Sequence, residues 1–153
     1  MPKRATALTA ASGEHYVAYV LSAMGFPVAL TRGGSPTVDL LVGDLSGENA
    51  VSIQVKTSNW AYRFFKTKPK RNHWEWDVGK KALTLKGESI IYTFVDLKWD
   101  DHKIVKPDVF VVPSNVVANF LGKDWSRYMF WIMENERDKY LEAWTTITAK
   151  LNS

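Results

Sequence analysis

Apolar positions near the start of the chain recur at helical spacing. Val17, Leu21 and Met24 fall at i, i+4 and i+7, with Ala18 in the same stripe, which predicts a helix over residues 9–24 stopped by Gly25. Thr9 or Ser12 is placed to cap its start. The period then shortens to two. Phe26-Pro27 turns the chain into a short strand over 28–31, and the turn-rich Arg32-Gly33-Gly34-Ser35-Pro36 leads into a strand in TVDLLVGD. A hairpin loop over 44–49 connects it to AVSIQVKTS, residues 50–58. There Val51, Ile53 and Val55 point one way, while Ser52, Gln54 and Lys56 point the other.

Past Ser58 the periodicity fades. Residues 59–81 are aromatic and basic, broken by Lys68-Pro69-Lys70, and read as one long functional loop. SIIYTFVDL and DVFVVPS are rich in β-branched and aromatic residues and read as buried strands. Ser114 is placed to cap a short helix over 115–121. Tyr140, Leu141, Trp144, Ile147 and Leu151 form one stripe of a helix over 135–151. There is no internal repeat. The sum is an α/β chain with a central mixed sheet flanked by helices, and 153 residues suit one domain spanning 1–153.

Composition narrows the chemistry. With no cysteine and three scattered histidines, thiolate metal sites and disulfides are excluded, and zinc spacing is missing. A magnesium site built from oxygen ligands stays open. The N-terminal stretch lacks the apolar run of a signal peptide, and no stretch approaches the roughly 20 apolar residues of a membrane span. The expected compartment is the cytoplasm. The net charge of +4 is concentrated: between Lys56 and Lys81 eight Lys/Arg face two acids, so this segment carries +6 and the remainder about −2. Arg63, Lys66, Lys68, Lys70 and Arg71 are therefore candidate phosphate contacts. Trp60, Phe64, Phe65, Trp74 and Trp76 are either stacking surfaces for bases or core anchors of the loop.

Two acids stand in unexpected places. Asp39 lies in a strand that is apolar all around it, and a carboxylate is costly to bury unless paired, hydrogen-bonded or bound to metal. Glu14 aligns with Val17, Ala18 and Leu21 on the stripe that should face the sheet. Solvation of Asp39, or a dipole contact of Glu14 in a first helical turn, would explain either one without chemistry.

Glu14 on a helix, Asp39 on the next-but-one element and Gln54-Val55-Lys56 on the following strand together resemble the restriction-endonuclease-like, PD-(D/E)XK, nuclease superfamily. GEHYVAYVLSAMGF is similar to the helix opening many resolvase-like and restriction-like members, and the likeness covers residues 12–58. VDLKWDDHKIVKPDVFVVPS is more loosely similar to bacterial domains of unassigned function in that superfamily. The Pro-Asp of the name is absent, since Pro36 precedes Asp39 by three positions, and Gln54 stands where glutamate is commoner.

The resemblance implies hydrolysis of DNA phosphodiesters with magnesium or manganese. Asp39, Gln54, the Val55 carbonyl and Glu14 are the implied ligands, and Lys56 the implied catalytic cation. Dimerisation, which would set one site on each strand of a duplex, stays open. Two other readings also stand: a nucleic-acid-binding module that keeps the nuclease fold without cutting, and a protein-interaction surface built on the seven tryptophans.

Overall fold

The computed structural model describes residues 6–31, 38–101, 103, 105–122 and 127–152. Helix α1 (Thr6–Ala23) is followed by strands β1 (Val28–Leu30), β2 (Leu40–Gly43) and β3 (Ala50–Ser58). The turn-rich stretch before Val38 lies outside the described residues. The hairpin over 44–49 forms as expected. Asp44 accepts the N–H groups of Glu48 and Asn49 through its carboxylate, and Gly47 supplies the positive φ of 76° that closes the turn.

Strands β6 (Ile90–Asp96) and β7 (Asp108–Pro113) complete a five-stranded sheet of order β1-β2-β3-β6-β7. It is mixed, because β3 and β6 run parallel while the other pairs are antiparallel. Parallel neighbours require a long crossover. Here residues 59–89 supply it and are not a structureless loop. They hold β4 (Tyr62–Arg63), β5 (His73–Asp77) and two 3-10 turns, and β4 and β5 join the later β8 (Met129–Met133) in a second sheet of order β4-β5-β8. The alternation Trp74-Glu75-Trp76-Asp77 is the period-two signal of β5.

The main sheet divides two cores. On one face Val51, Ile53, Val55, Ile91, Val109 and Val111 pack against α1 and the last helix, α4 (Thr145–Leu151). On the other, Phe94 and Phe110 meet the second sheet and helix α2 (Ser114–Leu121). Trp76 lies 5.0 Å from Phe94 and Trp74 lies 5.3 Å from Phe110, ring centre to ring centre. Each such pair adds roughly 0.5–1.5 kcal/mol beyond the area it buries. Trp76 also donates its indole N–H to the Val95 carbonyl. Trp74 and Trp76 are thus core residues.

The capping assignments change. Helix α1 begins before Thr9, and the Ser12 hydroxyl bonds the Leu8 carbonyl inside the helix, so neither residue caps its start. Ser114 is itself helical, and its hydroxyl exchanges hydrogen bonds with both backbone groups of Gly87. The helix expected over 135–151 is split. Helix α3 (Arg137–Tyr140) ends where Glu142 takes φ of +54° and donates its N–H to the Val109 carbonyl, and α4 starts afresh at Thr145. Its apolar stripe accordingly serves both cores, Tyr140 in the aromatic one and Trp144, Ile147 and Leu151 in the aliphatic one.

Helix α1 reaches the sheet through its smallest residue. Thr9, Gly13, Val17 and Leu21 form its buried ridge, and a Cβ on Gly13 would come within 1.8 Å of the Thr57 hydroxyl oxygen. Only glycine permits that approach.

Candidate active site

Asp39 stands just before β2, at a place where the ladder with β3 is irregular. Leu40 is the register partner of Ile53, yet the Asp39 N–H also donates to the Ile53 carbonyl at 2.9 Å. Two residues of one strand facing one of its neighbour make a β-bulge, a device that re-aims a side chain. The Asp39 carboxylate is thereby brought onto the Val55 N–H, Oδ2 to N 2.8 Å. Val55 lies between Gln54 and Lys56, so the carboxylate is anchored one residue from each. Backbone N–H and C=O of one strand residue leave on the same side, so the Val55 carbonyl also points toward β2.

Glu14 joins this group from α1. It is part-buried, and burial followed by the nearby Asp39 charge pushes its carboxyl above the ordinary value of 4.5. A carboxyl whose ionisation is disfavoured by burial and by a neighbouring carboxylate is an arrangement that a hard cation relieves. The donor set of Glu14, Asp39, Gln54 and the Val55 carbonyl is all oxygen, and suits magnesium or manganese by its chemistry. Among the described residues no three of His, Cys, Asp and Glu gather as a metal cluster, so such an ion would depend on the amide and backbone oxygens.

Because the folded protein binds the Glu14 proton more tightly than the unfolded chain, the stabilisation is full below about pH 4.5 and is lost as pH rises through the folded pKa. Glu14→Gln cannot ionise. In chelator-treated protein its melting temperature is expected to gain on the wild type as the pH is raised from 4 to 7; a constant difference would contradict the coupling.

Sequence reasoning missed Tyr92. It is the register partner of Gln54 across the parallel pair and is 1% exposed. Burial and the Asp39 charge push its phenol up to about 12, so it stays neutral beside the carboxylate. The one signal was a residue with a polar tip inside a strand that is apolar on most of its positions.

Lys56, Thr57 and Ser58 line a cleft of about 510 Å³ whose far wall is the second sheet, with Arg63, Glu75 and Trp76. The Arg63 Nε sits 2.7 Å from the Glu75 carboxylate, and its guanidinium also donates to the Trp60 carbonyl at 2.8 Å. Of the other predicted phosphate contacts, Lys66, Lys68, Lys70 and Arg71 are exposed on the connection from β4 to β5, and the Arg71 guanidinium lies over the Phe65 ring. The structure therefore brings the Asp39 carboxylate onto the Val55 N–H with Glu14 in electrostatic reach, sets Arg63 across the cleft that Lys56 lines, and leaves the remaining cations on the neighbouring surface.

No helix among the described residues is long and apolar enough to cross a membrane. No family model matches the sequence, and no curated protein matches it. Among solved structures, the bacterial homing endonuclease I-Ssp6803I shares the fold, with a TM-score of 0.57 and 18% identity over 95% of this chain and 94% of that one. The chain thus has the mixed α/β architecture of a solved endonuclease, with a central mixed sheet and helices flanking it.

Proposed function

We propose that the protein is a metal-dependent DNA endonuclease of the PD-(D/E)XK type. The observation that carries this reading is the bulge that sets the Asp39 carboxylate on the Val55 N–H, between Gln54 and Lys56 and within electrostatic reach of Glu14. The endonuclease fold of its structural neighbour supports it. Glu14, Asp39, Gln54 and the Val55 carbonyl would hold the divalent ion, which supplies Lewis-acid polarisation of the phosphate. Lys56 supplies a fixed cation for the charge that grows on the phosphoryl oxygens, and Arg63 binds a flanking phosphate.

Gln54 favours a second reading. Its amide can donate an oxygen but brings no charge, which suits a module that binds nucleic acid without cutting it. Incubating supercoiled, linear, branched and single-stranded DNA with the protein separates the two. The nuclease reading expects nicking or cutting with magnesium or manganese, abolished by chelator and by Asp39→Ala. Salt-sensitive binding without cleavage under any of these metals would establish the binding module instead.

A further inference from the structure

Of the six Phe, Trp and Tyr residues between Lys56 and Lys81, Tyr62 packs on Trp74 at 4.9 Å between ring centres and donates its hydroxyl to Glu134, and the fold sorts the other five. Trp74 and Trp76 are buried between the sheets, and Phe65 is only partly exposed, with the Arg71 guanidinium 5.2 Å from its ring centre. It also stacks on His73 at 5.9 Å. Trp60 and Phe64 remain, 52% and 68% exposed.

Their backbone is not loose. Asn59 accepts the Trp99 N–H, Ala61 donates to the buried Asp96 carboxylate and accepts from Glu75, and the Phe65 N–H donates to the Asn72 side chain at 2.7 Å. Arg63, between the two rings, is held by Glu75 and by the Trp60 carbonyl. Two large apolar rings displayed on so tightly bonded a segment are poorly explained as fraying, and core packing does not account for them.

The surrounding charge names the occupant. From Trp60 to Arg71 the chain carries five cations and no carboxylate of its own; Arg63 is paired with Glu75 and Ala61 bonds the buried Asp96, but Lys66, Lys68, Lys70 and Arg71 are exposed and give this surface a positive charge that attracts a polyanion. Trp60 is four residues beyond Lys56, at most about 14 Å along an extended chain, a span of two or three nucleotides. Bases stacked inside a duplex hide their faces, whereas an unpaired base offers one to an aromatic ring.

We infer that Trp60 and Phe64 form a stacking platform for an unpaired nucleobase next to the phosphate engaged by Lys56, and that the preferred substrate is therefore single-stranded or branched DNA. This rests on the nuclease reading for the position of the phosphate. The platform itself is tested by binding alone.

The measurement is fluorescence anisotropy of labelled single-stranded, forked and blunt duplex DNA in chelator, over a series of salt concentrations. It compares wild type with the Trp60→Ala/Phe64→Ala double variant. The double variant is expected to bind the single-stranded and forked probes about tenfold more weakly and the duplex within twofold of wild type. Its salt dependence should be unchanged, because no phosphate contact has been removed. Trp60→Tyr/Phe64→Tyr, which keeps the stacking faces, should restore affinity.

Equal losses on all three probes, no loss, or an altered salt slope would overturn the platform. So would a change in oligomeric state on sedimentation, which would mark the rings as an interface between copies. If the wild type cuts DNA and only these comparisons fail, the platform falls and the nuclease reading stands. If the wild type binds no probe at low salt, both fall.

Discussion

Lys56→Ala is expected to slow strand cleavage by about 10²- to 10³-fold, the cost of removing one fixed stabiliser of transition-state charge. Lys56 is only partly buried, on the strand face that opens into the cleft. It has no packing role comparable to Val55 beside it, so melting temperature should stay within about 2 °C of wild type. Binding to DNA should weaken only a few-fold, since Arg63 and the exposed lysines keep their charges. Single-turnover cleavage, thermal melting and binding on the same preparation check the three parts together. A variant that cuts within a few-fold of wild type would remove Lys56 from the chemistry.

The second large effect is on stability. Asp96 is 1% exposed, and its Oδ1 accepts the N–H of Ala61 at 3.1 Å and of Lys98 at 3.2 Å. Ala61 is wholly buried, so no water can replace the lost acceptor. A stranded buried donor costs roughly 1–3 kcal/mol, and Asp96→Ala is therefore expected to lose about 3 kcal/mol, or about 6–12 °C in melting temperature. Asp96→Asn keeps an oxygen in place. Because burial pushes the Asp96 carboxyl up despite its two bonds, the neutral amide avoids a charge that the folded state disfavours, and most of the stability should return. A change below 2 °C for the alanine variant would show that the Ala61 donor finds another partner.

How much of this was readable in advance depended on how local the cause was. Strand β3 was legible because Val51, Ile53 and Val55 alternate with Ser52, Gln54 and Lys56, and burial follows that alternation. Helix α1 was legible from its stripe, and the suspicion attached to Glu14 came from the same stripe. The bulge at Asp39 was not legible, since nothing in TVDLLVGD says that two residues will share Ile53. Strand β5 carried a readable alternation in Trp74-Glu75-Trp76-Asp77, obscured by the basic run before it. Its partner β8 lies more than 50 residues further on, where Phe130 and Ile132 complete the aromatic core. The break at Glu142 has a wholly non-local origin, the Val109 carbonyl on another strand.

The contact between Gly13 and Thr57 couples two sides of the molecule mechanically. Thr57 follows Lys56 in the chain and Gly13 precedes Glu14, and the backbone of one element rests on the side chain of the other with no room for a methyl group between them. A strand pressed by a ligand on the Lys56 face cannot shift toward α1 without pushing the helix, and the helix carries Glu14 with it. Lys56 and Glu14, the chain neighbours of Thr57 and Gly13, are thus joined by a stiff strut, and a register error in either element would be transmitted to the other instead of being absorbed by soft side chains.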